Sequence, residues 1–182
     1  MTTRRFSLLF GFAALVGCTP PLQPLPPAPS GIQRIAVQEP ANRTGDKLVV
    51  TDPGWIGQLL DEKHQTVPGL LAADLRDVLA KQGFKVAAAS KKDTPSMPAL
   101  RTEIRRWEPY SADYSMVTVD VAASLVDESG RELWKAERTS WNVPTRDARS
   151  SREASMAAST AIAQALVEGW KPGDGAASMN AQ

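Results

Sequence analysis

Apolar positions between residues 32 and 170 follow two rhythms, one with a period of two and one with helical spacing. Ile32 to Val37 (IQRIAV) is a short apolar-rich stretch closed by Pro40, which predicts a strand. Thr66 to Gln82 predicts a long helix. Val67, Leu71, Leu75, Val78 and Leu79 make one stripe, Thr66 offers a cap, Pro68 suits the first turn and Gly83 stops the helix. Phe84 to Ala88 reads as a second strand, before a polar loop from Ser90 to Ser96.

Ala99 to Trp107 predicts a third strand, with Leu100 and Ile104 on one face. Met116 to Val126 alternates most clearly: Val117, Val119, Val121, Ala123 and Leu125 share a face, and Thr118, Asp120 and Ser124 point the other way. Asp127 to Gly130 is a turn, and Arg131 to Trp141 returns as the second arm of a hairpin. Ser150 with Glu153 matches a capping box. Ala154, Ala158, Ala161, Ile162, Ala165 and Leu166 then give a second helix an apolar face of small residues that can lie close to a sheet. The expected fold class is α+β: a mostly antiparallel sheet of four to five strands with two long helices packed on one face.

The amino terminus carries a different pattern. Arg4 and Arg5 precede an uncharged apolar run from Phe6 to Val16, and Gly17 stands directly before Cys18. A basic start, an apolar stretch of roughly 7–15 residues and a small residue at its foot is the layout of an export signal. The run is short of the roughly 20 residues that a helix needs to cross a bilayer core. Leu15-Val16-Gly17-Cys18 resembles the bacterial lipobox, which implies cleavage between Gly17 and Cys18 and a diacylglycerol on the cysteine sulfur. A thiolate is the nucleophile such chemistry requires, and Cys18 is the chain's one cysteine, so it has no disulfide partner within the chain. The alternatives are an ordinary secretory signal with an incidental cysteine, and a twin-arginine signal that the residues after Arg5 fit poorly.

Thr19 to Ser30 (TPPLQPLPPAPS) has six prolines in twelve residues, which excludes helix and central strand and favours polyproline II. At about 3.1 Å per residue it would be a spacer of roughly 40 Å, and a proline-motif ligand is the alternative. Lys171 to Gln182 is small and polar and reads as a disordered tail. The expected organisation is therefore a signal peptide at 1–17, a lipidated tether at 18–31, a folded periplasmic domain at 32–170 and a tail at 171–182. Thr19 stands where inner-membrane lipoproteins of the enteric type carry aspartate, so the resemblance implies an outer-membrane, periplasm-facing location.

Charge narrows the possible partners. The formal charge is +1 for all 182 residues; the first 17 hold two arginines and no acid, so the remaining 165 are near −1 (+1 − 2). That gives no basic excess for nucleic acid.

Ile35-Ala36-Val37 followed by Asn42-Arg43-Thr44-Gly45-Asp46 resembles the first strand and loop of the TolB-amino-terminal and CsgG/LpoB-like group of envelope lipoproteins. Trp107 through Tyr114, Val117-Thr118-Val119, and Leu125-Val126-Asp127 with Gly130 and Leu133-Trp134 are similar to small lipoproteins of that group. The resemblance spans about residues 32–168. It implies an α/β domain of this element order and an accessory role in envelope transport or assembly. The segment from Ala41 to Gln65 departs from any one family of the group.

Candidate chemistry is sparse. His64 is the one histidine, flanked by Asp61 and Glu62 in a polar run without metal-ligand spacing, and Gly45 and Gly54 are isolated rather than part of a phosphate loop. Catalysis, a metal and a cofactor are not expected. Binding is expected instead. Ala41 to Gln65 is a long stretch without strong periodicity, of a kind often functional. It carries Val49, Val50, Trp55, Ile56, Leu59 and Leu60, with Trp55, Ile56, Leu59 and Leu60 as the candidate partner-binding residues. A short helix from Trp55 to Leu60 packed on its own domain is the alternative. Trp107, Trp134, Trp141 and Trp170 suit either an interface or a core. Arg101, Arg105 and Arg106 among Glu103 and Glu108 suggest a solvated face. The favoured function is a non-enzymatic accessory lipoprotein that binds an envelope protein; the alternative is a carrier of lipid or another small apolar ligand.

Overall fold

A computed structural model of the chain describes residues 24–48, 66–89 and 96–173. The elements in chain order are β1 (Arg34–Gln38), β2 (Ala41–Asn42), α1 (Val67–Lys81), β3 (Lys85–Ala89), β4 (Ala99–Pro109), β5 (Met116–Val126), β6 (Glu132–Pro144) and α2 (Ser151–Leu166). They form one sheet in the order β3-β1-β4-β5-β6, with the two-residue β2 also paired to β4.

The α+β class is as the periodicity predicts, but the sheet is mixed, which amends the expectation of a mostly antiparallel one. β1 pairs in parallel with β3 and with β4, and β2 pairs in parallel with β4; the long β4–β5 and β5–β6 ladders are antiparallel. The physical reason is the connection. A tight turn joins antiparallel neighbours, whereas α1 carries the chain over the sheet and returns it beside β1 in the same direction.

Both helices start where their caps place them. The Thr66 hydroxyl oxygen accepts a hydrogen bond from the Gly69 N–H at 3.2 Å, and the Ser150 hydroxyl accepts from the Glu153 N–H at 3.2 Å. The Glu153 carboxylate reaches back to the Arg149 N–H at 2.7 Å, one residue before the cap. Gly83 ends α1 with φ +97°, a conformation that other residues adopt at a cost.

One hydrophobic layer lies between the helices and the sheet. Val67, Leu71, Leu75 and Leu79 of α1 and Ala154, Ala158, Ile162 and Leu166 of α2 are buried against it. The five alternating residues of β5 from Val117 to Leu125 are buried as well. Cross-strand rows run Leu100, Leu125, Trp134 and Trp107, Val119, Trp141.

The second of those rows exists because two strands lose their register by one residue. Leu100 and Ile104 are in phase on β4 but Trp107 is not, and Trp134 and Ala136 are in phase on β6 but Trp141 is not. Bulges at Arg105 and at Thr139–Ser140 supply the missing step, so Trp107, Trp141 and Val143 also turn inward. The two bulges flank Asp120 of β5. Ser140 sits at φ +49°, and its N–H donates to the Asp120 carboxylate.

The helices meet through polar groups as well as methyls. Ser159, fully buried, donates its hydroxyl to Asp74 of α1 at 2.6 Å, and Thr160 reaches the same oxygen at 3.3 Å. The Trp107 indole N–H donates to the Ser155 hydroxyl at 3.2 Å.

The β5–β6 turn is organised by one carboxylate. Asp127 accepts from the Ser129 hydroxyl at 2.6 Å and from the N–H groups of Ser129 and Arg131 at 2.9 Å each. The Ser129 hydroxyl above all, then the two backbone donors and the Arg131 charge, hold its carboxyl below the ordinary range against a smaller opposing effect of burial. A depressed folded pKa stabilises the fold in full above the ordinary value and ceases to do so as the pH falls through the folded one. Asp127→Asn is therefore expected to lower the urea midpoint at pH 7. The gap to the parent should narrow on acidification and close once Asp127 is protonated in both states. A gap independent of pH would mean that the carboxylate charge does not matter to the turn.

Candidate binding surface

The sequence-derived binding residues Trp55, Ile56, Leu59 and Leu60 lie outside the described residues, as do Gly17, Cys18 and His64. What the structure does describe is the pair of residues that flank segment 49–65. The Val67 N–H donates to the Leu48 carbonyl at 2.9 Å, so the residues on either side of that segment are hydrogen-bonded to each other. Leu48 also packs on the core. Seventeen residues (66 − 49) thus start and finish at one spot, beside the first turn of α1.

The approach to that spot is set by Asn42-Arg43-Thr44-Gly45-Asp46. The Asn42 side-chain oxygen accepts from the Thr44 N–H at 3.0 Å and from its hydroxyl at 2.8 Å, while the Asn42 amide donates to the Asp46 carbonyl at 2.7 Å. The Asp46 N–H closes on the Thr44 hydroxyl at 3.2 Å, and Gly45 takes φ +86°. Asparagine and threonine suit this position because their short side chains imitate backbone turns. The Arg43 N–H joins the turn to β4 through the Ile104 carbonyl at 2.7 Å. Polar residues that read in sequence as part of a family-like loop are, in space, a hydrogen-bonded turn fixed to β4 just before Leu48.

The face of the sheet turned away from the helices lies next to this post and is charged. Glu103 meets Arg43 at 3.8 Å and Arg105 at 3.3 Å, and Arg105 also pairs with Glu137 across the sheet. Arg106 pairs with Glu108 at 2.5 Å. That hydrogen bond, with the attraction of the pair, lowers the Glu108 carboxyl and raises the Arg106 guanidinium from their usual values. Thr118 donates to Asn142 at 2.8 Å on the neighbouring strands. These charges are neutralised by each other in water, an arrangement worth little to stability. The face is solvated, as the alternating signs on β4 suggest.

All four tryptophans in doubt prove to be core residues: Trp107, Trp134, Trp141 and Trp170 are 3–8% exposed. Trp134 and Trp170 meet edge to face, with ring centroids 4.9 Å apart. Of the large apolar residues described, Tyr110, Leu133 and Met156 are exposed. Among the described residues no three His, Cys, Asp or Glu side chains gather to hold a metal ion. No helix there is long and apolar enough to cross a membrane.

No family model matches the chain, and no curated protein matches it. Solved structures do. The chain is similar to the PelC dodecamer from Paraburkholderia phytofirmans, with 19% identity over 79% of this chain and 94% of that one and a TM-score of 0.48. It is also similar to protein XCC0632 from Xanthomonas campestris, described as DUF330, with 21% identity over 79% of this chain and 86% of that one and a TM-score of 0.49. A likeness of this degree does not bear on activity, ligand or assembly.

Proposed function

We propose that this protein is a lipoprotein anchored through Cys18 to the periplasmic side of the outer membrane, and that its domain is a non-enzymatic accessory that binds another envelope protein. The observation that carries the binding role is the hydrogen bond between Val67 and Leu48. A segment rich in apolar residues is flanked on both sides at one place on the domain, and the turn leading to it carries Arg43, which pairs with Glu103 of the charged sheet face. Apolar residues beside polar ones are the composition of recognition surfaces. The anchoring role rests on the sequence alone: the Phe6–Val16 run, Gly17 and the single cysteine.

Photocrosslinking in intact cells tests the binding role. A photoreactive residue at Trp55 is expected to give a discrete adduct with one envelope protein, and one at Ser178 none. Absence of an adduct from Trp55, in cells whose membranes hold the protein, would remove segment 49–65 as the binding element.

A further inference from the structure

The proline-rich segment does not simply lead up to the domain. Its last seven residues, Pro24 to Ser30, include four prolines, and the structure seats their start on the folded body. Leu25 is half-buried against the core. The Trp134 indole N–H donates to the Pro26 carbonyl at 3.3 Å, and Trp170 meets the Trp134 ring edge to face. Beyond the strap the chain is clamped a second time. The Gly173 N–H donates to the Ile32 carbonyl at 2.8 Å, and the Gln33 amide donates to the Gly173 carbonyl at 2.9 Å. A methyl group built on Gly173 would lie 2.6 Å from the Gly31 Cα, so the two backbones touch where only glycine fits.

An indole N–H aimed at a carbonyl of a proline-rich strand is one of the contacts by which proteins recognise polyproline II. Such a strand is already stiff, loses little entropy on docking, and keeps its carbonyls free to accept. We propose that Trp134 and Trp170 form a polyproline-binding site whose ligand is this chain's own Pro24–Ser30. Its occupation sets how far the domain stands from the membrane and which end faces it; this last part rests on the Cys18 anchor proposed above.

Seven residue steps separate Cys18 from Leu25 and thirteen separate it from Gly31. At about 3.1 Å per step the docked strap allows a stand-off of roughly 20 Å, against roughly 40 Å for a free tether. Trp134 lies at the start of β6, beside the Asp127–Arg131 turn, so that end of the sheet is drawn toward the anchor. The C-terminal end of α1 shares this side, since Gly83 lies 3.4 Å from Pro172 when given a methyl group. The N-terminal end of α1, with the Leu48–Val67 contact, is then about 22 Å away along the fifteen-residue helix. The strap thus holds the base of segment 49–65 away from the bilayer, where a partner can reach it.

The test uses the lipidated chain, purified from a bacterial host and placed in vesicles of phosphatidylethanolamine and phosphatidylglycerol. A donor dye sits on Glu128→Cys in the β5–β6 turn and an acceptor on the lipid headgroups. Twelve glycine and serine residues are inserted between Ser30 and Gly31. With the strap docked, the insert loops out and energy transfer stays at the parent level. Adding Leu25→Asp frees the strap, and transfer is then expected to fall. A fall from the insert alone overturns the proposal, since it shows that the strap carries no load. A parent chain that stays off the vesicles, or a Cys18→Ser chain that stays on, overturns the anchor instead. Docking is then read in solution from the Trp134 indole N–H resonance, assigned by its loss in Trp134→Phe. Leu25→Asp is expected to shift it, and an unmoved resonance overturns the polyproline site.

Discussion

Cys18→Ser is expected to transfer the protein from the membrane fraction to the soluble fraction of the cell envelope, with no change in the fold of residues 32–173. The proposed anchor depends on sulfur chemistry. A thiol with an ordinary pKa near 8.5 supplies some thiolate at neutral pH to attack the lipid donor, whereas a serine hydroxyl supplies almost none. Each buried methylene of an acyl chain contributes about 0.8 kcal/mol, so several chains on one residue hold a protein that a single chain holds only marginally. Among the described residues no helix is long and apolar enough to cross the bilayer. The measurement is fractionation followed by mass analysis of the mature amino terminus. Retention of Cys18→Ser in the membrane to the parent level would sink the anchor.

Leu75→Ala is expected to be the most damaging single change inside the described domain. Leu75 is 0% exposed, at the middle of the α1 stripe, and belongs to the one core that both helices share with the sheet. Truncating such a residue removes its transfer energy and leaves a cavity that close-packed neighbours fill only in part, at a cost of about 2–5 kcal/mol. For a domain of this size that is a fall in Tm of roughly 10 °C. Leu133→Ala is the matched control. Leu133 is 38% exposed on β6, and its loss should stay within about 0.5 kcal/mol. Thermal unfolding of the two variants by circular dichroism decides the matter. If both melt alike, α1 does not pack as the structure places it.

Local elements were legible where the pattern is regular. The helix boundaries come within one residue of those expected from Thr66, Gly83 and Ser150, because caps and stops are chemical properties of single side chains. The five inward residues of β5 follow from simple alternation. Ser155 and Ser159 were missed as inward residues because polarity alone places serine outside; their partners, Trp107 and Asp74, come from other elements. The candidate binding residues rest on composition and lie outside the described residues.

The sequence by itself determined the type, order and approximate limits of the elements other than the two-residue β2 (a sixth strand where four to five were expected), together with the α+β class and the chemistry open to Cys18, since all of these depend on residues near one another in the chain. Tertiary structure alone decided the rest. The parallel β1–β3 pair follows from the direction in which α1 returns the chain. Two bulges around Asp120 turn Trp107 and Trp141 inward, because burying two indoles outweighs keeping a perfect ladder. Leu48 meets Val67, and Pro26 meets Trp134 across 108 residues, since contacts between distant segments are selected by the shape that packing leaves available, which no local pattern encodes.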